Sequence, residues 1–109
     1  MKISIRDVGN ARVVEVEGDV DLGTSPDLRR TLFESLPRAA KVALNLGAIR
    51  YIDSSGIATL IEVLKDSQRL KKEFVLFGLS PGVEEVFRLT HVIRIFQVFQ
   101  TEQEALETL

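Results

Sequence analysis

Residues 48–64 read AIRYIDSSGIATLIEVL and contain the change of pattern that decides the fold. An apolar run ends at Asp53, and two serines and a glycine follow it. From residue 57 to residue 64, isoleucines and leucines recur with the i, i+3, i+4, i+7 spacing of an amphipathic helix. The stretch therefore predicts a strand that ends near Asp53 and a helix that runs from about residue 54 to residue 71.

The segments on either side of this stretch extend the same alternation of strands and helices along the chain. The predicted strands span 1–8, 11–20, 41–46, 74–77 and 93–99, and the segment that follows 41–46 carries the third strand on to its end near Asp53. The predicted helices span 24–36, 54–71, 80–90 and 101–109. A Gly-Asn turn signal between the first two strands predicts an antiparallel hairpin. Helices that alternate with short apolar strands predict a parallel sheet. We therefore expect one α/β domain over residues 1–109, with a mixed, mostly parallel sheet of four to five strands, an N-terminal antiparallel hairpin and about four helices.

Polar residues in front of three predicted helices are expected to cap them. Ser25 and Ser80 each precede a proline, which is favoured in the first turn of a helix. Thr101 and Glu104 have the spacing of a capping box before the last helix. These signals predict side-chain caps at Ser25, Ser80 and Thr101.

Composition excludes several classes of function. The 109 residues include no cysteine, which excludes disulfides and thiolate chemistry. The formal net charge is -2, whereas proteins that bind nucleic acid directly usually carry a basic surface. The sequence therefore predicts no direct nucleic-acid partner. The N-terminus has no apolar signal region, and no apolar run approaches the roughly 20 residues that cross a bilayer. We expect a cytoplasmic protein without membrane insertion.

The sequence also lacks the residue patterns that are typical of catalytic sites and of cofactor-binding sites. His91, the one histidine, follows the third predicted helix and is expected to be a helix-end residue. Ligands with the spacing of a metal site are absent, and so is a glycine-rich phosphate loop of the P-loop or dinucleotide type. The sequence therefore predicts no catalytic residue, no metal and no cofactor.

The segment Asp53-Ser54-Ser55-Gly56, which we call the 53–56 junction, is the remaining candidate site. A strand end that meets a helix start is where open α/β sheets usually bind ligands and partners. A serine there either caps the helix or presents its hydroxyl to another protein. A phosphate on it would lie near helix N–H donors and add about −1.5 to −2 charges beside Asp53. If Asp19 and Asp21 lie at the neighbouring strand end, that phosphate would make the surface strongly anionic. Spacing alone leaves both the capping and the presenting interpretations open.

Three elements of the chain resemble the STAS domain of bacterial anti-sigma factor antagonists. They are GDVDLGTSPDL, LNLGAIRYIDSSGIATLIEVLK and FVLFGLSPGVEEVFRLTHVIRIFQVFQTEQEAL, and together they span nearly the whole chain. The Asp-Ser-Ser-Gly element in this setting is quite specific, and the three elements together make the resemblance strong. The resemblance implies the STAS fold and a binding switch rather than an enzyme.

In that family the unphosphorylated domain binds an anti-sigma factor that is also a serine kinase, and binding frees the sigma factor. The kinase then phosphorylates the serine that follows the motif aspartate, the complex dissociates, and a phosphatase resets the cycle. Carried over to this chain, the resemblance implies Ser54 as the phosphoacceptor. It implies partner-binding roles for Asp19, Asp21, Asp53, Ser55 and Gly56. We expect Ser55 to act as a cap or packing residue, with a second phosphosite as the alternative.

Two departures from the commonest pattern keep a second function open. The junction continues as Ile57-Ala58-Thr59, where many antagonists have Leu-Gly and a small or apolar residue, and residues 69–77 lack the frequent Gly-Gly. Such features also occur in STAS subunits of lipid-transport ABC systems. The alternative implied by that likeness is an accessory subunit that binds the ABC transporter ATPase without a kinase.

Overall fold

The computed structural model describes residues 1–107 and places them in five strands and four helices. The strands are β1 (Lys2–Val8), β2 (Ala11–Val20), β3 (Lys41–Ile52), β4 (Glu73–Phe77) and β5 (Val98–Phe99). The helices are α1 (Ser25–Ser35), α2 (Ser54–Arg69), α3 (Pro81–Leu89) and α4 (Glu102–Glu107), with 3-10 turns at Leu36–Arg38 and Val92–Arg94. The predicted α/β class and the predicted order of elements are confirmed.

The five strands form one sheet in the order β1-β2-β3-β4-β5. β1 pairs with β2 as the predicted antiparallel hairpin, with Ile3 opposite Val16, and the other neighbouring strands are parallel. Because β2, β3 and β4 run in the same direction, their carboxyl ends lie along one edge of the sheet, which we call the carboxyl edge. The register of β2 against β3 shifts between Glu15 and Glu17 and again between Gly18 and Asp19.

Helices cover the two faces of the sheet unequally. The larger core joins the apolar stripes of α1, α2 and α3 to one face, with Leu28, Leu60 and Phe87 fully buried. A smaller cluster lies on the other face, where Ala105 of α4 packs with Val13 and other strand residues. Apolar burial of this kind is the main stabilising term of the fold. β4 contributes to both clusters, which confirms the prediction of a strand covered on both faces.

The last predicted strand is much shorter than the 93–99 pattern indicates. Residues Val92–Arg94 form a 3-10 turn, and β5 contains only Val98–Phe99. His91 has a left-handed φ of 62° after α3, and the turn that follows brings Phe96 into the core. The Phe96 ring lies edge-on to Phe74, with 6.3 Å between centroids. Burial of this aromatic side chain outweighs the strand pattern of the preceding residues.

Two of the three predicted caps are wrong in detail. The N-cap of α1 is Thr24 rather than Ser25, which is the buried first residue of the helix. Ser80 is the N-cap of α3 by position, but its hydroxyl donates to the Ile49 carbonyl 3.0 Å away instead of capping. Thr101 does cap α4, since its Oγ1 accepts from the Glu104 N–H at 3.2 Å. The sequence identifies the polar residues at helix starts but not the partners they choose.

Candidate functional site

The candidate site is at the carboxyl edge, where β2 and β3 end side by side. Tyr51 and Ile52 of β3 pair with Asp19 and Val20 of β2. The Asp53 N–H then donates to the Val20 carbonyl at 3.1 Å, so the pairing extends into the 53–56 junction. The parallel register therefore places Asp19 and the turn that contains Asp21 next to the start of α2, which meets the condition stated for these two acids in the sequence.

Asp53 is the N-cap of α2. Its backbone is extended, with φ −109° and ψ −172°, which turns the carboxylate back over the first helical turn. Oδ1 accepts from the N–H groups of Ser55 at 2.9 Å and Gly56 at 3.3 Å. The Ser55 hydroxyl donates to the same oxygen at 2.5 Å. Asp53 is therefore committed to holding the helix start in place.

These contacts also change the acidity of Asp53. The hydrogen bond from the Ser55 hydroxyl is the main cause that lowers the pKa of the Asp53 carboxyl, and partial desolvation opposes it. The backbone N–H groups of Gly56 and Ser55 lower the pKa further because they stabilise the ionised form. Asp53 is thus a fixed negative charge at neutral pH.

The two serines of the junction have different surroundings. The Ser55 side chain is half-buried and bound to Asp53, which fits the expectation of a cap or packing residue, although the cap itself is Asp53. The Ser54 side chain is exposed at the first position of α2. Within residues 1–107 the Ser54 hydroxyl makes no hydrogen bond. The hydroxyl that is free to meet another molecule is the one on Ser54.

Gly56 is buried and brings α2 close to the strand ends. A Cβ atom at this position would lie 2.7 Å from Cγ1 of both Ile52 and Val20, closer than real Cβ contacts allow. The missing side chain lets the first turn of α2 lie directly on the ends of β2 and β3. Gly56 therefore helps to set how far Ser54 stands above the carboxyl edge.

The turn after β2, residues 21–24, fixes the second acid of the site. Asp21 Oδ1 accepts from the N–H groups of Gly23 at 3.0 Å and Thr24 at 3.1 Å, which forms an Asx-turn. The Asp21 N–H donates to the Thr24 hydroxyl at 2.9 Å, and that hydroxyl donates to the Asp19 carbonyl at 2.9 Å. The closed set of bonds holds the turn rigid next to the junction.

Asp19 has a cationic neighbour that sequence reasoning missed. Arg50 Nε lies 3.6 Å from Asp19 Oδ1, and both side chains are largely exposed. The pair offsets part of the negative charge at the carboxyl edge. The signal for it lies in the parallel register, which places Ile49 opposite Gly18 and Tyr51 opposite Asp19 and therefore puts Arg50 beside Asp19.

Other parts of the described chain add little to this site. Residues 1–107 contain no cluster of three or more His, Cys, Asp or Glu side chains that could hold a metal. A cavity of about 690 Å³ lies at the ends of β4 and β5, and its lining includes Phe96 and Phe99 but none of the predicted site residues. His91 is exposed just beyond α3, as expected for a helix-end residue. Among residues 1–107, no helix has the length and apolar character needed to span a bilayer.

Comparison with known proteins gives related sequences over nearly the whole chain. BtrV of Bordetella bronchiseptica is 27% identical over 106 residues, which cover 96% of this chain and 91% of BtrV. The anti-sigma-B factor antagonist of Listeria monocytogenes is 27% identical over 90 residues, 82% of this chain and 79% of that protein. The anti-sigma-B factor antagonist of Staphylococcus aureus is 28% identical over 78 residues, 71% of this chain and 72% of that protein.

Solved structures share the fold. The Thermotoga maritima protein TM1081 has a TM-score of 0.88 and 22% identity, with 96% of this chain and 92% of that chain covered. Unphosphorylated SpoIIAA has a TM-score of 0.82 and 18% identity, with 97% and 94% covered. Residues 2–105 also match the STAS domain family. The chain therefore belongs to the STAS domain family.

Proposed function

We propose that this chain is an anti-sigma factor antagonist, a binding protein whose partner is an anti-sigma factor with serine kinase activity. The names of the Listeria and Staphylococcus relatives support the first part, since both are anti-sigma-B factor antagonists. In this proposal the unphosphorylated chain binds the anti-sigma factor and frees the sigma factor. Phosphorylation of Ser54 then dissociates the complex, and a serine phosphatase restores the chain.

The exposure of the Ser54 hydroxyl is the observation that supports Ser54 as the phosphoacceptor. A kinase must reach a hydroxyl whose proton can be removed in transfer. The Ser55 hydroxyl already donates to Asp53 at 2.5 Å, whereas the Ser54 hydroxyl makes no hydrogen bond among residues 1–107. Ser54 is thus the better acceptor of the two.

The environment of Ser54 also supports release by charge. The N–H groups of Ser55 and Gly56 are occupied by Asp53, so a phosphate on Ser54 would compete with a carboxylate for the donors of the first helical turn. This modifies the simple expectation that a phosphate there would lie on free N–H groups. A group carrying about −1.5 to −2 charges beside the ionised Asp53 would instead face the partner. Release would then need no refolding of this chain.

Roles for the other predicted site residues follow from their positions. Asp19 and Asp21 supply negative charge at the partner surface, and Asp53 fixes the start of α2. Ser55 and Gly56 contribute by holding that helix start, since Ser55 binds Asp53 and Gly56 packs on the strand ends. All five act on the surface that carries Ser54.

The test is phosphorylation by an anti-sigma factor kinase of the organism that encodes this chain. We expect incubation with kinase and ATP to add one phosphate, measured by intact mass spectrometry and mapped to Ser54. The phosphate should be absent from Ser54→Ala and present on Ser55→Ala, the matched control. No phosphate with any such kinase would contradict the proposal, as would a phosphate that persists in Ser54→Ala. Stable co-purification with an ABC transporter ATPase, without phosphorylation, would favour the accessory-subunit function instead.

A further inference from the structure

Leu22 is the most conspicuous apolar side chain on the described surface. It is 77% exposed, the highest exposed fraction among the large hydrophobic residues of the described range 1–107. Leu22 is at the tip of the 21–24 turn, between Asp21 and Gly23. Single exposed leucines are common on protein surfaces and need no explanation by themselves. Leu22 differs from such leucines in two respects: its turn is held by hydrogen bonds, and it lies beside Ser54.

The backbone beneath Leu22 is held by hydrogen bonds on both sides. Asp21 accepts from the Gly23 and Thr24 N–H groups through its carboxylate, and its carbonyl accepts from the Ser25 N–H at 2.8 Å. The Thr24 hydroxyl ties the turn back to the Asp19 carbonyl at 2.9 Å. An apolar side chain on a rigid turn loses little backbone entropy when a partner covers it.

Leu22 and Ser54 leave the sheet from adjacent strand ends. Leu22 follows Val20 by two residues, and Ser54 follows Asp53, whose N–H donates to the Val20 carbonyl. Ala58 is exposed one helical turn beyond Ser54 on the same face of α2, and its small side chain permits close approach. The carboxylates of Asp19 and Asp21 lie beside this area, where β2 ends. The surface has an apolar projection, a free hydroxyl and a negative rim.

We propose that Leu22 is a hydrophobic anchor, a side chain that becomes buried in the anti-sigma factor when the two proteins bind. The inference rests on the proposed function and adds the chemistry of the partner. The partner's docking site contains an apolar pocket that receives Leu22 and a basic side chain that faces Asp21, on the side of the turn away from Ser54. Anchors of this kind, buried in a pocket within a polar rim, contribute most of the binding energy in many interfaces.

The direct test compares two exposed leucines in binding to the same anti-sigma factor. Leu22→Ala removes the proposed anchor, and Leu89→Ala is the matched control, because Leu89 is 72% exposed at the far end of α3. Isothermal titration calorimetry should give a Kd roughly 10- to 100-fold weaker for Leu22→Ala, the loss expected when a leucine side chain is no longer buried. Leu89→Ala should bind like the unaltered chain.

Kinase kinetics separate anchoring from an effect on the chemical step. The Leu22 side chain makes no hydrogen bond to the Ser54 hydroxyl, so it should not affect the chemical step. Leu22→Ala should therefore raise the KM of the kinase for this chain by about the same factor as the Kd and leave kcat within about twofold. Thermal unfolding of Leu22→Ala should coincide with that of the unaltered chain, because the side chain is already in solvent. A fall in kcat at unchanged KM would overturn the anchoring role.

The outcomes distinguish this inference from the proposed function. If the unaltered chain binds and is phosphorylated but Leu22→Ala behaves identically, the anchor is wrong and the proposed function stands. If the unaltered chain binds no anti-sigma factor, both fail. If Leu22→Ala instead abolishes self-association of the chain in sedimentation and leaves anti-sigma factor affinity unchanged, the occupant is a second copy and the proposal is overturned.

Discussion

Ser54 and Ser55 are adjacent and chemically identical, yet the start of a helix gives them different roles. The Ser55 hydroxyl points back to the capping carboxylate of Asp53, and the Ser54 hydroxyl is left in solvent. The difference arises from backbone direction. The extended backbone of Asp53 aims its side chain at the N–H groups of Ser55 and Gly56, the second and third residues after it. A single cap thus selects which hydroxyl is available.

Replacement of Ser54 by an acid should leave the fold intact. Ser54→Asp adds a negative charge at the first position of α2, where the helix dipole tolerates it, and Ser54 makes no side-chain hydrogen bond among residues 1–107 to lose. We expect a melting temperature within a few degrees of the unaltered chain, measured by circular dichroism. Loss of cooperative unfolding would mean that Ser54 is a structural residue.

The cap should make stability depend on pH in the acid range. Because the folded-state pKa of Asp53 is lowered, its ionised form stabilises the fold at neutral pH. That contribution is complete above the unfolded pKa of about 4 and is lost as the pH falls through the lower folded value. Urea denaturation should therefore show Asp53→Asn less stable than the unaltered chain at neutral pH, with the difference shrinking below about pH 4.

A control separates this effect from other acids of the chain. Asp7 also has a lowered pKa, caused mainly by its hydrogen bond from Arg12, but it is present in both proteins and cancels in the comparison. Ser55→Ala removes the hydrogen bond that is the main cause of the lowered pKa of Asp53. This variant should therefore show a smaller change of unfolding free energy with pH. A stability difference that stays constant or grows in acid would contradict the assignment.

At the scale of elements, the junction between β3 and α2 depends on close contact. Gly56 allows the first turn of α2 to lie on Val20 and Ile52, the last residues of two neighbouring strands. The same contact places Ser54 and the 21–24 turn on one surface. Displacement of the helix start would therefore alter both stability and the site.

Adding one methyl group at Gly56 tests this contact. The new Cβ of Gly56→Ala would lie 2.7 Å from two side-chain carbons, so the helix start or the Val20 and Ile52 side chains must shift. We expect a loss of roughly 1–3 kcal/mol in the free energy of unfolding, measured by urea denaturation.

Gly82→Ala is the matched control, because nothing lies within 4 Å of its Cβ position in the first turn of α3. It should be neutral or slightly stabilising, since alanine restricts the unfolded chain more than glycine does. Equal stabilities of the two variants would show that Gly56 is not a packing position.

The elements that could be predicted from the sequence are those with a strong apolar period. The continuous apolar run of β4 is buried as its pattern indicates. In α2 the predicted stripe is buried at Ile57 and Leu60 and partly buried at residues 61 and 64, and Val63 beside the stripe is also buried. The 93–99 segment could not be assigned in this way, because packing of Phe96 with Phe74 and Phe87 decides its path. Long-range contacts of this kind leave no local period in the sequence.

The candidate site was predictable in position but not in detail. A strand end followed by Asp-Ser-Ser-Gly located the junction, and parallel strands brought Asp19 and Asp21 beside it. The cap at Asp53 and the ion pair of Arg50 depend on backbone direction and register, which a single sequence does not specify. The sequence also gives no sign that Leu22 would be exposed, because apolar residues are usually expected inside.

At the scale of the whole molecule, the carboxyl edge concentrates charge around the site. Asp19, Asp21 and Asp53 lie there together, and Arg50 opposes them through its pair with Asp19. The summed field of such an edge steers a basic partner during encounter, and salt screens it over roughly 10 Å at 0.1 M. Charge changes that keep the local geometry should therefore act mainly on the association rate.

Two substitutions that change the local charge in opposite directions test this steering. Asp21→Asn keeps the oxygen that accepts from Gly23 and Thr24 but removes a negative charge, so association with the anti-sigma factor should slow and depend less on salt. Arg50→Gln removes a positive charge and should speed association. Stopped-flow rates at several salt concentrations measure both effects. Changes of the same sign in the two variants would contradict the electrostatic interpretation.

We infer that a phosphate on Ser54 controls binding, and a comparison of two affinities tests this claim. The anti-sigma factor is titrated calorimetrically with the unmodified chain and with the chain phosphorylated at Ser54. A phosphate on Ser54 would be buried in the interface beside the ionised Asp53, whose cap already occupies the nearest N–H donors, so its lost hydration is not replaced. The phosphorylated chain should therefore bind at least roughly 100-fold more weakly. Equal affinities for the two forms would contradict the claim.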